Sequence, residues 1–402
     1  MNNFCLSKII VAPIFWGYFF MKYIFTMKKL TLKLLLILSL SNFAHSQNIA
    51  EIQEQKIQDA LKEIYRMNYS HSIQLFAEVE NSGYFHPLAP LGEISAQWFS
   101  DKEIYGYKIG NNMLWKKIEP KLEFYTKKLN EDPDNAESLY FYGICLGLKA
   151  RLLLEKKDWF GILTCGIKSI HYINKAAKLD ENSYDIILAK GVFNYYVGIS
   201  SAYMKITSWM FNLSGSKEEG LAQIEAAAIE AKYGKYEAHS ILIPIYLFIE
   251  NDYENALKHA RIMVNLFPEN PYYHSLAADI LLNQGKIIEA EPYIKKVEEL
   301  LPDLKQYAKK EYILKLILLK GEKAFYQNQY EQAEKEFLKF IENYNFELDY
   351  SLASALLHLG HIYDLQDNRE KAVKYYQMTI ELDNRSKACL IARKYLTTPY
   401  TK

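Results

Sequence analysis

Apolar positions recur at helical spacing from Ile49 to Leu396, and short polar turns divide them into successive helical segments. No stretch alternates residue by residue as a half-buried strand does. One phrase repeats. Asp252-Tyr253-Glu254-Asn255-Ala256 is closed by Pro268, and Gly285-Lys286-Ile287-Ile288-Glu289-Ala290 is closed by Pro302. The two alanines stand 34 residues apart, and so do the two prolines. Thirty-four residues make one helix–turn–helix unit, which cannot bury its apolar face alone and stacks on its neighbours. Pro268 and Pro302 each end a helix and let the next unit begin.

Two later units carry the same marks. Leu359-Gly360-His361-Ile362-Tyr363 leads to Ala372 and Tyr376, and Gly321 leads to Tyr330, Ala333 and Phe337. Small residues let paired helices cross closely, and the aromatics fill the space toward the next pair. In these residues the chain resembles the tetratricopeptide repeat (TPR) proteins. The resemblance implies an all-α, right-handed superhelical solenoid of stacked helix–turn–helix repeats. Departures come by insertion, since Gly321 and Gly360 are 39 residues apart and Gly143 and Gly191 are 48. The N-terminal half therefore reads as enlarged hairpins, over Ala136–Ser183 and Tyr184–Tyr236, after a turn at Asp132-Pro133-Asp134-Asn135. Degenerate repeats over 47–135 precede these 136–236 hairpins; four repeats over 237–386 and a capping helix with a tail over 387–402 follow. In the cap, Leu390, Ile391, Tyr395 and Leu396 are expected to pack inward.

The first 46 residues read as a leader. Lys28 and Lys29 precede the apolar run Leu34–Leu40 and the small residues Ala44 and Ser46, the order of a secretory signal peptide over 27–46 cleaved before Gln47. Residues 1–26 then read as an upstream in-frame start that the cell need not use, with Met27 beginning the leader and a start at Met1 the rival. An uncleaved anchor is the alternative, although Lys22, Lys28, Lys29 and Lys33 interrupt it. Losing residues 1–46 removes five Lys and no acid, so a net charge of 0 becomes −5. That balance argues against a nucleic-acid partner, whose phosphates need a basic face. Lys-, Asn-, Ile- and Tyr-rich composition with cleavage before Gln resembles exported proteins of the Bacteroidota, which implies the periplasm or envelope of a Gram-negative cell. Cys145, Cys165 and Cys389 read as buried thiols, with a Cys145–Cys165 disulfide the alternative.

The chain carries no phosphate-binding Gly loop, no Gly-x-Ser-x-Gly and no His-Glu-x-x-His, so neither catalysis nor a cofactor is indicated. His358 and His361 alone make a poor metal site; His361 is read toward the groove and His358 outward. The TPR resemblance implies a concave groove lined by first helices. Matched residue by residue, it gives Tyr140, Ile144, Leu188, Tyr195, Tyr196, Ile241, Ile245, Phe248, Tyr272, Phe325, Tyr326 and His361. These are aromatic and aliphatic, without a basic clamp or dense charge, so binding is expected to respond little to salt. The resulting expectation is a non-catalytic scaffold that holds a peptide or protein segment. Two alternatives stand beside it: a membrane-associated assembly factor acting through the apolar stretch 192–213, and an enzyme with no recognisable motif.

Overall fold

The structure, a computed structural model, describes residues 48–155, 158–199 and 215–401. The chain divides into two compact units, 1–56 and 57–402. In the first, the described residues 48–56 are helical. The proposed signal peptide, the upstream start and residues 200–213 of the apolar stretch lie outside the described residues.

The second unit is an all-α stack of helical hairpins of the tetratricopeptide type. Helical residues 57–65 (α1) pair with Tyr69–Asn81 (α2), and Ala89–Tyr105 (α3) with Tyr107–Glu131 (α4). Next come Ala136–Glu155 (α5) with Trp159–Leu179 (α6), and Tyr184–Ile199 (α7) with Lys217–Glu230 (α8). Lys235–Pro244 (α9) continues as a π-helix, Ile245–Glu250, before Tyr253–Leu266 (α10). Pro271–Asn283 (α11) and Ile287–Leu300 (α12) form the hairpin that carried the clearest repeat. Gln306–Tyr326 (α13) with Tyr330–Glu342 (α14), and Tyr350–Leu365 (α15) with Arg369–Glu381 (α16), complete the pairs; Lys387–Tyr395 (α17) ends the stack.

The small residues stand where helices cross. Ala256, Ala290, Ala333 and Ala372 have no exposed surface. A Cβ on Gly321 would lie 2.9 Å from the Phe337 ring, and one on Gly360 2.3 Å from the Tyr376 ring. The hairpin turns are also repeated. Met67, Gly285, Asn328 and Asp367 all take positive φ, and each following amide bonds the carbonyl five residues back, as in Lys286 to Leu281 at 2.9 Å and Asn368 to Tyr363 at 2.8 Å. At Asn251 the corresponding amide, Asp252, reaches six residues back, to Tyr246. Pro244 has no N–H to give, and the π-turn that follows absorbs one extra residue.

Two thiols match expectation and one does not. Cys145 and Cys389 are buried, whereas Cys165 is half-exposed, and all three are free. At the C-terminus, α17 buries Cys389 and Ala392, and Ile391, Tyr395 and Leu396 pack on the last core cluster. Leu390 departs from the expected inward set, being 52% exposed. Arg369 clamps the end by donating to the carbonyls of Tyr395 and Leu396, both at 2.7 Å, while gripping Asp364 at 2.9 Å. A chain ending at Asn384 is therefore expected to expose the apolar side of α15 and α16, melt several degrees lower and aggregate. Gel filtration with circular dichroism checks this; a monomer of native helicity would make residues 385–402 a loose tail.

Candidate functional site

The first helices of the hairpins face one another across the inside of the unit, because residues far apart in sequence meet there. Tyr65 on α1 donates to Glu237 Oε2 on α9 at 2.9 Å, and its ring lies against Tyr236 and Phe267. Asn270 donates to the Tyr65 carbonyl at 2.8 Å. Tyr69 donates to Glu103 Oε1 at 2.9 Å, and Gly106 at the end of α3 meets the Tyr307 ring of α13. The loop before α15 brings Glu347 to Lys102 at 3.1 Å and Arg151 at 3.0 Å. Phe248, turned by the π-helix, stacks on Tyr350 with ring centres 5.5 Å apart.

The resulting inner face is built of tyrosines and carboxylates. Burial pushes the Glu103 carboxyl up to about 7, with Tyr69 and Lys305 opposing the shift and Glu311 adding to it. Glu237 and Glu311 are exposed to water, but the protein mass around them costs their carboxylates hydration and raises both above the usual carboxylate range. The phenols respond in the same way. Enclosure lifts Tyr272 to about 12 and Tyr140, Tyr196 and Tyr326 further, so all remain neutral hydroxyls at pH 7.

Of the twelve expected groove residues, the structure brings several to this face. Tyr196 and Tyr272 are exposed, at 42% and 36%, and Tyr140, Phe248, Ile241 and Tyr326 are half-buried. Ile144 is half-buried as well and, like Tyr140, packs in the seam between two core clusters, but as an aliphatic it has no hydroxyl to turn toward Glu237 as Tyr140 does. Leu188, Tyr195, Ile245, Phe325 and His361 lie inside the protein and offer a ligand almost no surface. Their helices pack on two neighbours at once, so these positions serve the joint between repeats. His358 departs from the outward placement: it is buried between Phe325 and Phe337, with Nδ1 on the Ser354 carbonyl at 2.8 Å. His361 stacks on Tyr400, ring centres 3.8 Å apart, so the C-terminal segment covers that end of the face.

Sequence reading missed the charge of this face. Glu103, Glu237 and Glu311 look like ordinary solvated-side acids, and only the return of the chain sets them beside one another's tyrosines. Asp279 and Glu322 were missed too, although a local signal marks them. Asp279 follows Ala278, Glu322 follows Gly321 and His361 follows Gly360, so each stands one residue after a helix crossing. A separate network, Glu225–His259–His239, ties α8, α9 and α10 together. His259 Nε2 lies 2.9 Å from Glu225, and the two Nδ1 atoms are 2.7 Å apart. Away from the inner face, a cavity of about 500 Å³ opens between α4, α5 and α6, bordered by Glu119, Glu123, Lys127, Lys149, Lys168 and Cys165. No helix of the described residues is long and apolar enough to cross a membrane.

No family model matches this sequence, and no curated protein matches it either. Among solved structures, the human IFIT1 dimer with PPP-AAAA is similar at 14% identity, covering 86% of this chain and 84% of that one, with a TM-score of 0.42. Yeast Tom70 is similar at 12% identity, covering 85% and 81%, with a TM-score of 0.38. A monomeric IFIT1 mutant with Gppp-AAAA gives 15%, 82%, 70% and 0.42. Similarity at this level says nothing of ligand or partner.

Proposed function

We propose that this chain is a non-catalytic binding scaffold whose inner face holds a segment of a protein partner bearing Lys or Arg side chains. The supporting observation is that Glu103 and Glu237 are each held by a tyrosine hydroxyl rather than by a cation, among further tyrosines. Aromatic faces beside carboxylates favour ammonium and guanidinium groups. The proposed contacts are Tyr140, Tyr196, Tyr272, Tyr326 and Phe248 with Glu103, Glu237 and Glu311. The compartment assigned by this reading is the periplasm or envelope, on the strength of residues 27–46. The stretch 192–213 is kept as the contact of a membrane-associated alternative, which partition with liposomes tests.

Fluorescence anisotropy with a labelled Lys/Arg-rich peptide, an acidic peptide of equal length and a short RNA tests the reading. Only the basic peptide is expected to bind, and less tightly as salt rises. This replaces the expected indifference to salt. Affinity should also grow from pH 6 to pH 8, because Glu103 gains its charge around pH 7. Tyr196→Ala, Tyr272→Ala or Glu237→Gln should each weaken binding by about 1–3 kcal/mol, while Lys335→Ala on the outer surface leaves it unchanged. Normal binding by all three inner-face variants would remove the proposal, and binding of the RNA instead would reverse its charge argument.

A further inference from the structure

At the C-terminal end of the inner face, one segment of the chain lies where a residue of a partner would. After α17, Thr397, Thr398 and Pro399 are exposed, Tyr400 returns to the protein half-buried, and Thr401 is exposed again. Tyr400 is therefore a single anchor. Its ring lies flat on His361, centres 3.8 Å apart and planes 16° from parallel, and Tyr395 meets it edge-on at 5.3 Å. Its backbone N–H donates to Asp364 Oδ2 at 2.7 Å. Burial raises the Tyr400 phenol, with Tyr395 and Tyr330 adding to the effect, and the inner-face residue Tyr326 feels Tyr400 in turn. Burial also holds the His361 imidazole neutral, down to about 2, with His358 adding to the shift, so the seat offers a flat uncharged ring.

Three features make this contact exchangeable. Asp364 Oδ2 also accepts from Arg369 at 3.0 Å and from the Tyr376 hydroxyl at 2.8 Å, so it stays satisfied when the Tyr400 amide leaves. Arg369 holds the carbonyls of Tyr395 and Leu396, so the segment after them can lift without loosening α17. His361 is 8% exposed, yet its Nε2 has no hydrogen-bond partner in the protein. A buried polar atom left unpaired is uncommon, and an incoming side chain can meet it. We infer that the seat formed by His361, Asp364 and Tyr326 receives an aromatic residue of the partner in extended backbone, and that Tyr400 fills it in the free protein as an internal competitor. This rests on the inner face being where a partner binds, and adds to that reading one residue type and a means of regulation.

An uncharged probe tests the seat independently of the basic character proposed for the partner. A labelled, amidated peptide copying residues 397–401, which contains no Lys or Arg, is titrated against the full chain, Tyr400→Ala and a chain ending at Leu396. The shortened chain keeps the Arg369 clamp and so serves if Tyr400→Ala folds poorly. Both opened chains are expected to bind the peptide about tenfold more tightly than the wild type, which must first release its own Tyr400. Tyr400→Phe keeps the stacking ring and should match the wild type. On binding, the His361 ring signals of the opened chains should shift in nuclear magnetic resonance spectra. Equal affinity in all chains, no binding by the opened ones, or binding without the His361 shift would overturn the inference. Binding of the copied peptide but not of the Lys/Arg-rich one would uphold the seat and remove the basic reading of the partner. The reverse result would remove the seat and leave that reading in place.

Discussion

Ala290→Arg is expected to unfold the C-terminal half of the chain. Ala290 has no exposed surface and belongs to the core formed by α7 to α13. Arginine there overfills a helix crossing and carries a charge into a place with no counter-ion, which together cost about 3–5 kcal/mol. With a native stability of about 5–15 kcal/mol, such a loss lowers or abolishes the melting transition followed by circular dichroism. An unchanged curve would mean that Ala290 faces water and that the 34-residue register is misplaced.

Gly220→Ala is expected to be nearly as damaging, although it adds only one methyl group. A Cβ at Gly220 would sit 2.3 Å from the Tyr195 amide nitrogen and 2.7 Å from the Gly191 carbonyl oxygen. These are backbone atoms, so no side-chain rotation makes room, and α7 and α8 must separate. The separation opens the packing around Tyr195 and Ile224 and should cost at least about 3 kcal/mol. Gly166→Ala supplies the contrast. It lies inside α6 with nothing within 4 Å of the added atom, so the same change should stabilise by about 0.5–1 kcal/mol through helix propensity. Denaturant titration of the two variants measures both; equal effects would mean that α7 and α8 do not touch backbone to backbone.

The hairpin architecture was legible because crossings and turns make local demands. Ala256, Ala290, Ala333, Ala372, Gly321 and Gly360 meet a steric limit that the sequence records directly. The site was legible only in part. A groove assignment by position cannot separate Tyr272, which faces water, from Phe325, which fills a joint on the same kind of helix. The acidic character of the inner face was not legible at all. Glu237 belongs to that face because Tyr65 returns to it, and nothing near Glu237 in sequence announces a partner 172 residues away.

That return has a consequence for how the chain folds and varies. In a simple stack each repeat touches only its neighbours, so loops closed during folding are short and repeats can be gained or lost singly. Here Asn270 meets Tyr65 across 205 residues and Lys102 meets Glu347 across 245. Closing such loops is entropically slow, which places this chain among slow, cooperative folders despite its wholly helical content. It also fixes the length of the stack. Deleting or duplicating one hairpin between Lys102 and Glu347 would carry the ends past each other, so variation in this protein is expected as longer turns rather than as extra repeats.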